Sequence, residues 1–157
     1  MTAMNTQEVS CRDYALEIDI RANRAQVWKA MFEDVNIWWL KDFHMAGEDS
    51  KVSFDPTPGG RGLLEEGKDG TCLQWYTVQF IVPAQFKVYL VGHIGPEWGG
   101  PCVSHMQLSL TESESGCRLS IHDALFGAVS EATTNSLSDG WKMLFGDGLK
   151  LHLEKCG

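Results

Sequence analysis

The sequence predicts an α+β fold in which a curved antiparallel sheet of about six strands wraps around a long C-terminal helix, with two short helices after the first strand. Three observations carry that prediction. Tyr14, Leu16, Ile18 and Ile20 alternate with Ala15, Glu17 and Asp19, the period of two that marks a strand. From Val52 to Phe126 the chain is a series of strand-like runs broken by Pro and Gly. Leu137, Trp141, Leu144, Phe145, Leu149 and Leu153 then form one broad apolar stripe at helical spacing. An antiparallel sheet of that size has one face to cover, and helices segregated to one side cover it. The terminal helix is the one long apolar element available, so it must lie across the concave face.

Taken in order, residues 1–10 are polar and are expected to form a flexible N-terminal tail. The first strand follows. After Asn23 the period changes, and Val27, Trp28, Met31 and Phe32 recur at the spacing of one helical face. Asn23 is the expected N-cap of that helix. A second short helix is expected around Ile37, Trp38 and Trp39. The next strand, from Val52, meets Pro56, Pro58, Gly59 and Gly60 in a short window, so it must bend or bulge at an edge. Gly67 to Gly70 is a turn, and the run from Thr71 ends at Pro83. Phe86 to Ile94 is a further strand, and the Gly95–Pro101 segment is a loop. Residues 103–110 and 117–126 form the clearest hairpin, joined by the polar segment 112–116. The last helix is expected over residues 134–155, about six turns long. Gly140, Gly146 and Gly148 oppose it at about 1 kcal/mol each; glycines facing the sheet would let two backbones approach closely.

A length of 157 residues is the usual size of one domain, expected over residues 11–157. A formal charge of -8 without a Lys/Arg cluster argues against nucleic acid and against anionic membrane surfaces. Apolar stretches are far too short to span a bilayer, so no membrane insertion is expected. Nothing near the N-terminus is apolar enough to resemble a signal peptide, and the protein is expected in the cytoplasm. Cys11, Cys72, Cys102, Cys117 and Cys156 are scattered and odd in number, which in that compartment means free thiols.

The segment Ala25-Gln26-Val27-Trp28-Lys29-Ala30-Met31-Phe32, followed by Trp38-Trp39, resembles the opening signature of the AHSA-like branch of the START/SRPBCC superfamily. That branch is named for activators of the ninety-kilodalton heat-shock chaperone's ATPase. Further similarities fall in order. They are the Gly59-Gly60 bend, the run from Trp75 to Tyr89 with Pro83 before Phe86-Lys87-Val88, the segment from Gly116 to His122, and Gly140-Trp141 opening the final helix. The resemblance extends from about Tyr14 to Glu154. It implies the helix-grip fold, a curved sheet gripping a C-terminal helix over a hydrophobic cavity. The superfamily includes lipid carriers, hormone receptors, polyketide cyclases and chaperone activators, so fold alone does not name the chemistry. The leading expectation is noncatalytic binding of a small hydrophobic or amphipathic molecule in the central cavity. The alternatives are a cyclase- or dehydratase-like enzyme and a protein-binding module whose partner is a chaperone.

The hairpin gives a geometric handle on the site. If Leu110 pairs with Leu119, then Leu108 meets Ile121 and Met106 meets Asp123, all on the core face. Asp123 then points inward beside Leu125, where an unpaired carboxylate would cost several kcal/mol. It is either a polar ligand anchor or acid/base group, or it sits near the sheet's rim and meets water or a backbone amide; the rim reading is preferred. On the other face His105 and His122 lie diagonally across the same strands. Two imidazoles could begin a metal site, but no third ligand is indicated. They are therefore read as surface residues, and no metal or cofactor is expected. Tyr76, Phe80, Val88, Leu90 and Met106 are placed on the inner face, opposite Trp141, Leu144 and Phe145. They either wall a cavity for a flat apolar ligand or fill the core. Trp98, among glycines and prolines, is either an aromatic lid with Glu97 as its polar partner or part of a rigid turn packed on the sheet. No nucleophile elbow or phosphate loop is present.

Overall fold

A computed structural model describes residues 2–155; Met1, Cys156 and Gly157 fall outside the described residues. The chain runs through β1 (Ser10–Ile20), α1 (Arg24–Glu33), α2 (Val35–Trp38), β2 (Lys51–Phe54), β3 (Leu63–Glu66), β4 (Cys72–Val82), β5 (Lys87–Ile94), β6 (Cys102–Ser113), β7 (Gly116–Gly127), α3 (Glu131–Met143), a π-helical segment (Leu144–Lys150) and α4 (Leu151–Lys155). The strands make one antiparallel sheet in the order β1-β7-β6-β5-β4-β3-β2. The sheet is curved, and the C-terminal helix lies in its hollow: the helix-grip architecture.

Seven strands are present where about six are expected. The proline–glycine window after Phe54 separates β2 from β3 instead of bending one strand, since Asp55 N donates to Gly62 O and closes the loop between them. β2 is one edge of the sheet, and β1 is the other. The β6–β7 register pairs Leu110 with Leu119, Leu108 with Ile121 and Met106 with Asp123, as the alternation predicts. Its turn is shorter than expected, because pairing continues to Ser113 and Gly116.

Asn23 caps α1 through a reciprocal box: Gln26 N donates to Asn23 Oδ1 at 2.9 Å, and Asn23 N donates to Gln26 Oε1 at 3.0 Å. Val27 and Met31 are fully buried beneath it. In α2, Trp38 turns inward and its indole N–H donates to Ala30 O at 2.8 Å, whereas Ile37 is 71% exposed. The indole bond couples the two short helices.

The final helix begins three residues earlier than expected, and Gly140-Trp141 lies inside it. Ser130 makes the start: its side chain accepts from Thr133 N, satisfying a donor that the helix leaves free. Trp141, Leu144, Phe145 and Leu149 are buried in the hollow, as the stripe requires. The glycines do not face the sheet. A Cβ on Gly148 would lie 2.5 Å from the carbonyl oxygen of Trp38, so this glycine lets the helix approach α2. Gly146 meets open space, and Gly140 comes no nearer than ordinary contact with Phe43. The widened π turns hold Gly146 and Gly148, where propensity opposes a tight α-helix.

These glycines separate two effects by substitution. Gly148→Ala is expected to lose about 1–3 kcal/mol in urea denaturation, through overpacking against the Trp38 backbone. Gly146→Ala is expected to gain up to about 1 kcal/mol, since it adds helix propensity without a clash.

Candidate ligand cavity

Strand β4 forms one side of the site, and two bulges in it decide which side chains face inward. Between Leu63↔Tyr76 and Leu64↔Gln74 the strand carries one extra residue, Trp75. Between Val78↔Leu90 and Phe80↔Tyr89 it carries another, Gln79. An extra residue reverses the facing of the residues beyond it. Phe80 therefore leaves the inner face on which strict alternation places it; it is 56% exposed and packs on Tyr89, ring centroids 5.5 Å apart.

A cavity of about 370 Å³ opens between the end of the sheet and α3. Leu73, Gln74, Trp75 and Tyr76 from β4, His93 and Ile94 from β5, Ser136, Leu137 and Trp141 from α3, and Met45 and Trp98 from loops line it. The volume lies toward the small end of the range that takes small organic ligands, roughly 300–1,000 Å³. Tyr76, Trp98 and Trp141 of the expected wall residues line it. Val88, Leu90, Met106, Leu108, Ile121, Leu144 and Phe145 are buried in the continuous core and are not part of the wall. The hollow is thus filled at its centre and open at one end. Trp98 sits in a 3₁₀ turn, Pro96–Trp98, at the cavity's edge and is 50% exposed. Glu97 is not among the lining residues.

The wall is held from behind by aromatic rings. Trp141 packs against Trp75 at 6.1 Å and Phe145 at 5.9 Å, Phe145 against Trp38 at 5.8 Å, Trp38 against Trp39 at 5.8 Å, and Trp39 against Trp75 at 5.3 Å. Five rings from α2 and its C-cap Trp39, from β4 and from the final helix close a circuit, and Tyr76 joins it 5.7 Å from Trp141. Such contacts add about 0.5–1.5 kcal/mol each beyond area burial.

Two buried carboxylates fix polar groups around these rings. Asp123 is 0% exposed, so the rim reading is corrected: it lies on β7, an interior strand held between β1 and β6. Its partners are side-chain hydroxyls, not water or a backbone amide. Tyr14 Oη donates at 2.7 Å and Ser104 Oγ at 2.6 Å, while Tyr76 Oη meets Ser104 Oγ at 2.8 Å. This row crosses the concave face from β4 to β1. It passes over Gly92 of β5, where a Cβ would lie 2.8 Å from the Tyr76 ring. Burial pushes the Asp123 carboxyl above the usual range, against the Ser104 and Tyr14 hydrogen bonds that favour its charged form. Burial, reinforced by Asp123, likewise raises the phenols of Tyr14 and Tyr76 and the thiol of Cys102. Asp123 itself is not part of the cavity wall.

The second carboxylate escaped the sequence reading. Glu65, also 0% exposed, accepts from Ala46 N at 2.7 Å, Ser50 Oγ at 2.7 Å and Trp75 Nε1 at 2.9 Å. Ser50 spends its proton on Glu65 and so accepts from His44, whose Nδ1 lies 2.7 Å away and must carry the proton. Glu65 thereby clamps the 44–50 loop, with the cavity residue Met45, to the cavity residue Trp75. Alternation from the buried Leu63 would have turned Glu65 inward, a local signal available in the sequence.

His105 and His122 are exposed on the outer face, and His122 Nε2 lies 3.0 Å from Asp13 Oδ2. Among the described residues no group of three His, Cys, Asp or Glu is placed to hold a metal. Cys11, Cys72, Cys102 and Cys117 are unpaired, while Cys156 lies outside the described residues. No described helix is long and apolar enough to cross a membrane.

The same fold recurs among solved structures. Protein MLL2253 from Mesorhizobium loti is 19% identical with a TM-score of 0.70, over 93% of this chain and 99% of that one. Ara h 8.0201 is 11% identical with a TM-score of 0.66, over 93% and 99%. DynU16, a protein of the dynemicin biosynthetic locus, is 16% identical with a TM-score of 0.64, over 90% of this chain and 47% of its own. At these identities the likeness is one of fold. No family model and no curated protein sequence matches the chain.

Asp123 gives a pH prediction with a definite sign. A carboxyl raised above its ordinary value of 3.8 holds its proton more tightly in the folded chain. Its contribution is full below that value and is lost as pH rises through the folded one. Urea denaturation of wild type and Asp123→Asn from about pH 4 to about pH 9 is therefore expected to shift the stability difference toward the variant as pH rises. A difference that is flat or of opposite slope would refute the raised carboxyl.

Proposed function

We propose that this chain is a binding protein of the START/SRPBCC superfamily that holds a small hydrophobic or amphipathic molecule without transforming it. The single observation that carries this reading is the cavity between β4, β5 and α3, walled by Trp75, Tyr76, Trp98 and Trp141. Apolar surface withdrawn there from water contributes about 25 cal/mol per Å². Its size favours a compact ring system over a long-chain lipid. Placement within the AHSA-like branch is supported by the residues of the opening signature, whose Trp38 and Trp39 belong to the ring circuit behind the wall.

A cyclase- or dehydratase-type enzyme receives less support. Its candidate acid/base group, Asp123, stands behind Ser104 and Tyr76 and does not line the cavity. The chaperone partner rests on the branch resemblance alone. A cytoplasmic setting remains the corresponding expectation, with which unpaired Cys11, Cys72, Cys102 and Cys117 agree.

Native mass spectrometry of freshly purified protein is expected to show a noncovalent adduct of small-molecule mass. In titrations with 2-ethylnaphthalene, tryptophan fluorescence is expected to change saturably. Trp98→Ala should weaken that binding about tenfold, the equivalent of about 1.4 kcal/mol, while leaving the melting temperature nearly unchanged because the side chain is half exposed. Absence of both an adduct and saturable binding would sink the reading.

A further inference from the structure

The two edges of the sheet are built differently. β2 has four residues and runs toward Pro56 and Pro58, a short, proline-bounded form that discourages a further strand. β1 has eleven residues and no proline, and it pairs with β7 from Ser10↔Gly127 to Ile20↔Cys117 without a bulge. Of the devices that blunt a free edge it carries charge alone. On its convex face that charge is acidic throughout: Asp13, Glu17 and Asp19.

The register fixes which backbone groups of β1 point away from the sheet. Leu110 N donates to Phe86 O, so even residues of β6 turn toward β5 and odd ones toward β7. Ser113 faces Gly116, so even residues of β7 turn toward β6 and odd ones toward β1; Ala128 N, which donates to Pro101 O, agrees. Ile18 faces Leu119 and Tyr14 faces Asp123, so even residues of β1 bond β7. Cys11, Asp13, Ala15, Glu17 and Asp19 therefore aim their N–H and C=O groups outward, and all five residues are exposed. None of these groups meets a backbone partner elsewhere among the described residues. Below this edge runs a trough that shares no lining residue with the cavity. Glu17, Ile18 and Asp19 form one wall; Met143, Gly146 and Leu151 of the final helix lie across from them. Met143 is 51% and Leu151 41% exposed, and Gly146 between them meets open space. A strand laid along β1 would drop every second side chain onto these apolar residues.

We propose that β1 and this trough accept an extended segment of another protein as an eighth strand, with basic side chains opposite Asp13 and Glu17 and apolar side chains facing the helix. Main-chain bonds to the edge supply affinity, and alternate side chains supply choice of partner. Charge selects the occupant. Opposite charges placed across a strand pair stabilise it and like charges destabilise it, and the chain as a whole carries -8. Arg118 and His122 reach Glu17, Asp19 and Asp13 from the β7 side, leaving the outer side of the row to a partner. On the helix, Lys142 and Lys150 are balanced by Asp139 and Asp147. A second copy of this chain is disfavoured, because the fullest antiparallel overlap of two β1 edges, centred on Ala15, sets Asp13 against Glu17.

The probe is the peptide acetyl-TVKVTVKVT-amide, whose lysines oppose Asp13 and Glu17 when its central threonine opposes Ala15. One control carries glutamates for the lysines. The other keeps the sequence but is N-methylated at both lysines and the central threonine, the residues whose N–H groups would meet β1. Affinity is read by anisotropy of the labelled peptides with the full chain, and location by amide hydrogen exchange. The lysine peptide is expected to bind saturably and to slow exchange at Asp13, Ala15 and Glu17, with both controls weaker by about tenfold or more. Ala15→Pro removes one outward N–H that β7 does not use, and should weaken the lysine peptide about tenfold with little change in melting temperature. Glu17→Lys should shift preference toward the glutamate peptide. Equal binding of the N-methylated peptide would reduce the contact to charge adhesion and overturn the added strand, whether or not the proline variant folds. No saturable binding of the lysine peptide would overturn it as well. A concentration-dependent dimer that protects the same amides would give the edge to a second copy instead. Each outcome leaves the cavity reading untouched.

Discussion

The seating of Trp141 in the hollow of the sheet is the contact on which the rest of the molecule depends. Its ring touches Trp75 and Tyr76 on β4 and Phe145 one turn along its own helix. Through Phe145 and Trp38 the same packing reaches α2. The final helix is a poor helix by propensity, carrying three glycines, and it needs this tertiary burial to hold. The glycine at 148 is part of the arrangement, because it lets the helix backbone come down onto the Trp38 carbonyl. The hollow is thereby filled at its centre, and space remains toward the Trp98 end.

Two buried carboxylates organise the polar side of that space, and they do so differently. Glu65 accepts from a backbone amide, a serine and an indole, tying a loop to the cavity wall. Asp123 is bonded to hydroxyls alone, and hydroxyls can reverse their direction. A fully satisfied network of the first kind rigidifies a wall. Both stand behind aromatic rings, Trp75 for Glu65 and Tyr76 for Asp123, so the cavity presents apolar faces whose positions are set by polar groups out of reach of solvent.

A protein that binds by burial needs a shaped apolar space more than it needs a reactive group. The helix-grip fold supplies that space because a curved sheet cannot be filled everywhere by one helix. The bulges at Trp75 and Gln79 then decide which β4 side chains border it. The same device that brings Trp75 to the wall sends Phe80 to the outer surface.

Local pattern in the sequence determined most of the strands, the stripe of the final helix, the Asn23 cap and the shared inner face of the β6–β7 hairpin, and with that face the inward direction of Asp123. Each depends on residues close together along the chain, where the repeat of two or of 3.6 is enough. Tertiary structure alone decided the outward turn of Phe80, the partners of Asp123 and Glu65, the role of Gly148 and the position of the cavity. A single extra residue in a strand reverses its faces without leaving a periodic trace. Hydrogen-bond partners more than a hundred residues apart, such as Tyr14 and Asp123, meet only after the sheet has closed. Whether an inner-face side chain walls a space or fills it depends on how far the opposing helix reaches, a property of the packed molecule and not of any segment of it.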